Sequence, residues 1–205
     1  MLKARIAVLV SGGGTNLHAL MQAKRDGKIP CGEIVLVVSD KPGAYALVRA
    51  QEAGIPTCVI SKEEYITKAQ FEQKLRESLE ENHIDLIVLA GFLRILSLEF
   101  TSRYPKRIIN IHPSLIPAFC GEGYYGIKVH QAALSRGVKV TGATVHYVNE
   151  IADGGEIILQ RVVKVNKQDT PESLQKRVME QAEWKILPKA VDMVSRRIAK
   201  EKRNG

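Results

Sequence analysis

Short, unbroken apolar runs mark the first half of the chain. Residues 6–10 lead into Ser11-Gly12-Gly13-Gly14, 34–38 into Ser39-Asp40-Lys41-Pro42-Gly43, 85–89 into Ala90-Gly91-Phe92, and 107–111 into His112-Pro113. Continuous rather than alternating apolarity is the signature of strands covered on both faces. A shorter run over 56–60 reads as a further strand. Amphipathic stretches lie between these runs. One helix starts at Thr15 or Asn16, runs through Leu17, Leu20 and Met21, and stops near Gly27 and Pro30; a second covers 43–53 and is closed by Gly54; a third, highly charged, covers 63–82. Strands alternating with helices predict a parallel sheet with right-handed crossovers.

The pattern changes after residue 112. A loop rich in Gly, Pro and aromatic residues covers 113–126, followed by a helix over 128–136 and two longer strands over 139–148 and 156–165, joined by 149–155. A long final helix is expected from Pro171 to about Lys200, capped by Asp169 or Thr170. The expected fold is therefore α/β: a Rossmann-like, mostly parallel open sheet with helices on both faces and an antiparallel late-strand extension. Without an internal repeat, low-complexity tract or linker, residues 1–205 read as a single domain.

Composition narrows the class. Hydrophobic residues make up 45% and charged residues 25%, which disfavours disordered, collagen-like and coiled-coil chains. No apolar run approaches the ~18–20 residues of a membrane span, and the start of the chain lacks the pattern of a signal peptide. Three scattered cysteines, Cys31, Cys58 and Cys120, form no CxxC pair, which fits a reducing cytoplasm rather than a disulfide framework or a zinc site. The net charge of +8 favours anionic partners. Part of the excess lies in Arg196, Arg197, Lys200, Lys202 and Arg203; without interleaved aromatics, residues 196–205 are expected to be a solvated, frayed tail rather than a nucleic-acid stripe.

Three constellations can carry chemistry. A glycine turn between strand and helix (Gly12, Gly13, Gly14, then Thr15 and Asn16) exposes N–H groups at a positive helix end, where an anion can sit. Leu17 occupies the third-glycine position of a dinucleotide fingerprint and no Gly-Lys-Ser/Thr follows, so the turn suits one phosphate, or is a βα turn without a ligand. Asn110 and His112, two apart at a strand's carboxyl end, point to the same side. There an amide can stabilise an oxyanion while an imidazole moves a proton, although a structural Asn and a capping His would look alike. Asp153-Gly154-Gly155 supplies a carboxylate that would orient His112 and raise its pKa, or is an ordinary turn. His18 and His83 fall on predicted helices and His146 on a predicted strand, where packed or solvated roles are commoner. No histidine pair has metal-ligand spacing, and no metal is expected.

In order along the chain, Ser11-Gly-Gly-Gly-Thr-Asn-Leu17, Val38-Ser-Asp-Lys41, Asp85-Leu-Ile-Val-Leu-Ala-Gly-Phe-Leu-Arg-Ile-Leu96, Asn110-Ile-His-Pro-Ser-Leu-Ile-Pro117, Gly142-Ala-Thr-Val-His146 and Asp153-Gly-Gly155 resemble the phosphoribosylglycinamide formyltransferase family of folate-dependent enzymes. The resemblance spans about residues 5–190. It implies transfer of a formyl group from 10-formyltetrahydrofolate, as cosubstrate, to the amine of glycinamide ribonucleotide in purine synthesis. It also implies that Asn110, His112 and Asp153 are catalytic, and that Gly13, Gly14, Thr15, Asn16, Pro113 and Glu183 hold the ribonucleotide. Lys62, Leu93, Arg94, Ile95, Leu96 and Asn110 would contact the folate. The family places a cis proline after its His-Pro-Ser-Leu segment, so Ile116-Pro117 is expected to be cis.

The chain departs from the family in two places. The segment 118–126 is longer than the usual connection, and 177–183 carries one extra residue; because one residue rotates a helix by about 100°, Glu180 is an alternative to Glu183. Related chemistries are a formyltetrahydrofolate deformylase-like hydrolase, which carries an added N-terminal domain, and methionyl-tRNA formyltransferase, which carries an added C-terminal domain for which this length leaves no room. A non-catalytic phosphosugar-binding module is the reading from another class. The expected partners are small molecules, with neither nucleic acid nor membrane, and the protein would be a monomer or homodimer.

Overall fold

A computed structural model describes residues 2–204, except for the side chain of Lys62. Seven strands form one sheet: β1 (Ala4–Val10), β2 (Gly32–Ser39), β3 (Thr57–Val59), β4 (Leu86–Leu89), β5 (Ile108–His112), β6 (Val140–Tyr147) and β7 (Ile157–Lys164). Their order is β3-β2-β1-β4-β5-β6-β7. β1 to β5 are parallel, and β6 and β7 are antiparallel additions. This is the expected Rossmann-like architecture with its antiparallel extension.

The apolar runs are split between two cores by the pleat. In β1, Ala4, Ile6, Val8 and Val10 join one cluster, with Leu17 and Leu20 of α1 (Thr15–Arg25) and Ala46 and Ala50 of α2 (Tyr45–Glu52). Ala7 and Leu9 face the other, with Phe71, Leu75 and Leu79 of α3 (Lys68–Glu81). β4 divides the same way, Leu86 and Val88 to one side and Ile87 and Leu89 to the other. Burial on both faces is why these runs show no alternation.

Several boundaries differ from expectation. The charged helix starts late: Lys62–Glu64 is a single 3-10 turn, and Thr67 caps α3 through Gln70 N. His83 lies just past α3 in a left-handed conformation, φ 50°. A five-residue helix, α4 (Leu98–Ser102), capped by Ser97, is too short to show periodicity. After α5 (Ile127–Ser135), the expected final helix has three parts: α6 (Pro171–Val178), a π-helical turn over Met179–Glu183, and α7 (Trp184–Asn204). A π turn holds one residue more than an α turn, and so absorbs the extra residue seen in the sequence.

The expectation of a frayed basic tail is corrected: α7 continues to Asn204. Its charges are tethered, with Arg196 on Asp192, Arg197 on the Lys106 carbonyl and Lys202 on Asp85. Among the described residues no helix is long and apolar enough to cross a membrane.

Candidate active site

The carboxyl ends of β1, β4 and β5 and the β6–β7 connection bring the predicted chemistry together. Asn110 and His112 stand at the end of β5, where Asn110 pairs with His146 and His112 with Thr144 of β6. Asp153 reaches them from the connection with φ 55°, a conformation Asp tolerates better than most residues. Gly155 makes this path feasible, since a Cβ there would lie 1.8 Å from the Tyr147 carbonyl oxygen. The Ile116-Pro117 bond beyond His112 is cis, as expected.

His112 is buried between two acceptors. Its Nδ1 lies 3.3 Å from Asp153 Oδ2, and its Nε2 is 2.9 Å from the Phe119 carbonyl oxygen. Only a doubly protonated ring can donate to both. Burial nevertheless holds its pKa below the ordinary imidazole value, against the upward pull of Asp153 and the Phe119 carbonyl. The expected upward pull of Asp153 is present, but desolvation outweighs it. Burial pushes the Asp153 carboxyl up, but contacts with His146 and His112 and the Gly121 N–H outweigh that and hold it below the usual carboxylate value. The Gly121 N–H donates to Asp153 Oδ2 at 2.9 Å.

His146, expected to be packed or solvated, belongs to this cluster. Its Nδ1 is 2.7 Å from the Tyr147 carbonyl oxygen, and its Nε2 lies 3.1 Å from Asn110 Nδ2 and 3.5 Å from Asp153 Oδ1. Asn110 Nδ2 also donates to Asp153 Oδ1 at 3.3 Å. The Asn110 amide nitrogen thus faces inward, toward Asp153 and His146. Strand alternation, which places His146 on the same side as Thr144, was the available signal. His130 of α5 is wholly buried, with neither ring nitrogen partnered among the described residues; burial and nearby His112 push its pKa down to about 4.

At the end of β1, the glycine turn is shaped by α2. Gly14 has φ 70°, and a Cβ there would lie 2.6 Å from Ala46 Cβ. Gly12 O accepts from Ala46 N, whereas the N–H groups of Gly12, Gly13 and Gly14 donate to no backbone carbonyl among the described residues. Thr15 is exposed, its hydroxyl 3.8 Å from Met179 Sδ. Asn16 departs from the expected anion-donor role: its amide is buried and donates to Glu183 Oε2 at 2.7 Å. Glu183 is buried, 6% exposed, and burial pushes its pKa up to about 7 despite Asn16. Glu180 faces outward, 4.0 Å from Lys176, so the π turn selects Glu183 as the inward carboxylate.

The remaining predicted residues form a second arm. Pro113 is half-buried beside His112. Leu93 and Ile95 are exposed while Leu96 is buried in the core. Leu93 N donates to Ser11 Oγ at 3.0 Å, tying this segment to the glycine turn. Arg94 lies over the Phe71 ring at 3.8 Å and lines a cavity of about 260 Å³ with Asp40, Lys68 and Glu72. Lys62 opens the 3-10 turn; its side chain lies outside the described residues. No His, Cys, Asp and Glu group among the described residues is arranged to hold a metal.

Comparison with known proteins matches residues 4–191 to the formyl transferase family. The chain is 45% identical over 193 residues to the trifunctional purine biosynthetic protein adenosine-3 of Bos taurus, a match taking in 94% of this chain but only 18% of the bovine protein. It is 41% identical over 184 residues to phosphoribosylglycinamide formyltransferase of Haemophilus influenzae, covering 90% of this chain and 84% of that one. The crystal structure of glycinamide ribonucleotide transformylase 1 from Symbiobacterium toebii superposes with a TM-score of 0.88 at 40% identity, over 95% of this chain and 88% of that one.

Proposed function

The chain belongs to the formyl transferase family, in its phosphoribosylglycinamide formyltransferase branch, and from that premise we propose that it moves the formyl group of 10-formyltetrahydrofolate onto the amine of glycinamide ribonucleotide. The observation that carries this reading is the convergence of Asn110, His112 and Asp153 at the end of β5, joined through hydrogen bonds and close polar contacts. The Leu93–Leu96 segment follows β4, the parallel neighbour of β5, and the glycine turn follows β1, one strand further along the sheet. The ribonucleotide phosphate is assigned to the N–H groups around Gly13, Gly14 and Thr15, its ribose to Glu183, and its glycinamide end to the region of Pro113. The folate is assigned to Leu93, Arg94, Ile95 and Leu96, with Lys62 toward its tail.

The step is direct acyl transfer. The substrate amine attacks the formyl carbon, forming the C–N bond and placing negative charge on the formyl oxygen. Neutral His112 takes the proton lost by the amine. Asn110 and the resulting imidazolium stabilise the oxyanion, the C–N10 bond breaks, and the proton passes to N10. Asp153 favours the imidazolium as it forms. The Phe119 carbonyl must leave His112 Nε2, and an Asn110 hydrogen must leave its inward partner, before either group can reach substrate. Small molecules are the partners in this reading, in a cytoplasmic protein that acts as a monomer or homodimer. Incubating the protein with both substrates, and omitting each in turn, tests it: formylated nucleotide should require all three components. Formate release without nucleotide would favour a hydrolase.

A further inference from the structure

A phosphate held only by backbone N–H groups lacks a cationic partner, and Asn16 has turned inward. Arg49 of α2 stands at the turn. Its Nε donates to Gly13 O at 2.9 Å, and its guanidinium carbon lies 4.9 Å from the centre of the Tyr45 ring. These two contacts fix the plane of the group. Its terminal nitrogens have no protein acceptor among the described residues. The bond to Gly13 O also neutralises a carbonyl that would otherwise repel an anion.

Arg49 and Thr15 line the same cavity of about 790 Å³, between α1 and α7, together with Lys185 and Lys189 of α7. The acids on its walls, Asp26 and Asp192, are already held by Lys28 and Arg196. Free cationic charge therefore lines this cavity together with Thr15, the first helical residue after the glycine turn.

We propose that Arg49 is a specificity-determining residue that receives the phosphate monoester of the ribonucleotide through its two terminal nitrogens. The inference rests on the assignment of the glycine turn as the phosphate site. A planar, pre-fixed guanidinium matches two phosphate oxygens at once, which a lysine cannot do.

Calorimetric titration with ribose 5-phosphate and with ribose, on wild type, R49M and R49K, tests it. Steady-state kinetics with glycinamide ribonucleotide accompany the titration. R49M should weaken ribose 5-phosphate binding at least about tenfold, leave ribose unaffected, and raise KM by a similar factor with kcat within about twofold. R49K should recover part of the affinity. K28M, at the far end of the cavity, should change neither quantity. No wild-type binding of ribose 5-phosphate, or equal binding by R49M, would overturn the inference. So would loss in kcat alone, which would mark Arg49 as only a prop for Gly13. Formyl transfer that is indifferent to Arg49 would sink this inference and leave the proposed reaction standing. Arg49-dependent phosphate binding without formyl transfer would do the reverse.

Discussion

At the residue scale, the behaviour of His112 turns on two opposed effects: desolvation, which resists its charge, and acceptors at both ring nitrogens, which reward it. Because desolvation wins, the ring rests neutral near neutrality. Turnover should therefore rise with pH through an apparent pKa below the ordinary 6.5 and stay flat above it. Asp153→Asn removes the main upward pull, so that limb should move to lower pH. Each unit is worth about 1.4 kcal/mol of lost imidazolium stabilisation, so turnover should fall while ground-state binding of both substrates changes little. A pH profile of the variant matching wild type, with equal turnover, would return Asp153 to the role of a turn residue.

Glu183 offers a second residue-scale prediction with a definite sign. Its folded pKa is raised from 4.5 to about 7. The native state therefore binds the proton more tightly than the unfolded chain. That stabilisation is complete below pH 4.5 and is lost as pH rises through 7, amounting to about 3 kcal/mol for burial net of the opposing Asn16 hydrogen bond. Glu183→Gln keeps the Asn16 hydrogen bond and cannot ionise. Denaturant titrations at pH 5 and pH 8 should show wild type losing stability relative to this variant as pH rises. A constant difference would contradict the burial assignment.

At the element scale, the central strands were legible because burial on both faces leaves unbroken apolar runs, as in β1 and β4, whereas β7, largely exposed, was read from its length and its place after the 149–155 connection. Elements that depend on tertiary contacts were not. α4 has only five residues, and its cap is tied to Glu72, 25 positions away in sequence. The π turn satisfies two demands at once: α7 keeps its packed register while Glu183 stays turned toward Asn16. Deleting exposed Gln181 should restore a plain α-helix with the Glu183–Asn16 bond intact, leaving turnover within about threefold. A large rise in nucleotide KM would show instead that the π turn shapes the site. Gly155→Ala should do the opposite of a silent change. Its Cβ would meet the Tyr147 carbonyl oxygen at 1.8 Å, so the connection must open, costing roughly 1–3 kcal/mol and drawing Asp153 away from His112. Thermal unfolding and turnover of the variant check both effects.

Across the whole molecule, the residues proposed to react stand at a strand's carboxyl end, where parallel sheets gather ligands. Their wiring was not readable from the sequence. Pairing of β5 with β6 brings His146 onto Asn110 across 36 positions in sequence, and Asn16 meets Glu183 across 167. Single side chains such as Arg49 carry no pattern of their own; only the packing of α2 against the glycine turn gives that residue meaning.

The central claim is that these elements perform direct acyl transfer at His112, with no free formate between donor and acceptor. The most direct measurement runs the reaction in water enriched in oxygen-18, with a carbon-13 formyl donor and unlabelled formate added, for wild type and His112→Ala. The account predicts formylated nucleotide from wild type that carries the carbon label, no oxygen-18 and no unlabelled formyl, with turnover essentially abolished in the folded variant. Oxygen-18 in the product, unlabelled formyl from the added formate, or turnover by His112→Ala within threefold of wild type would contradict it.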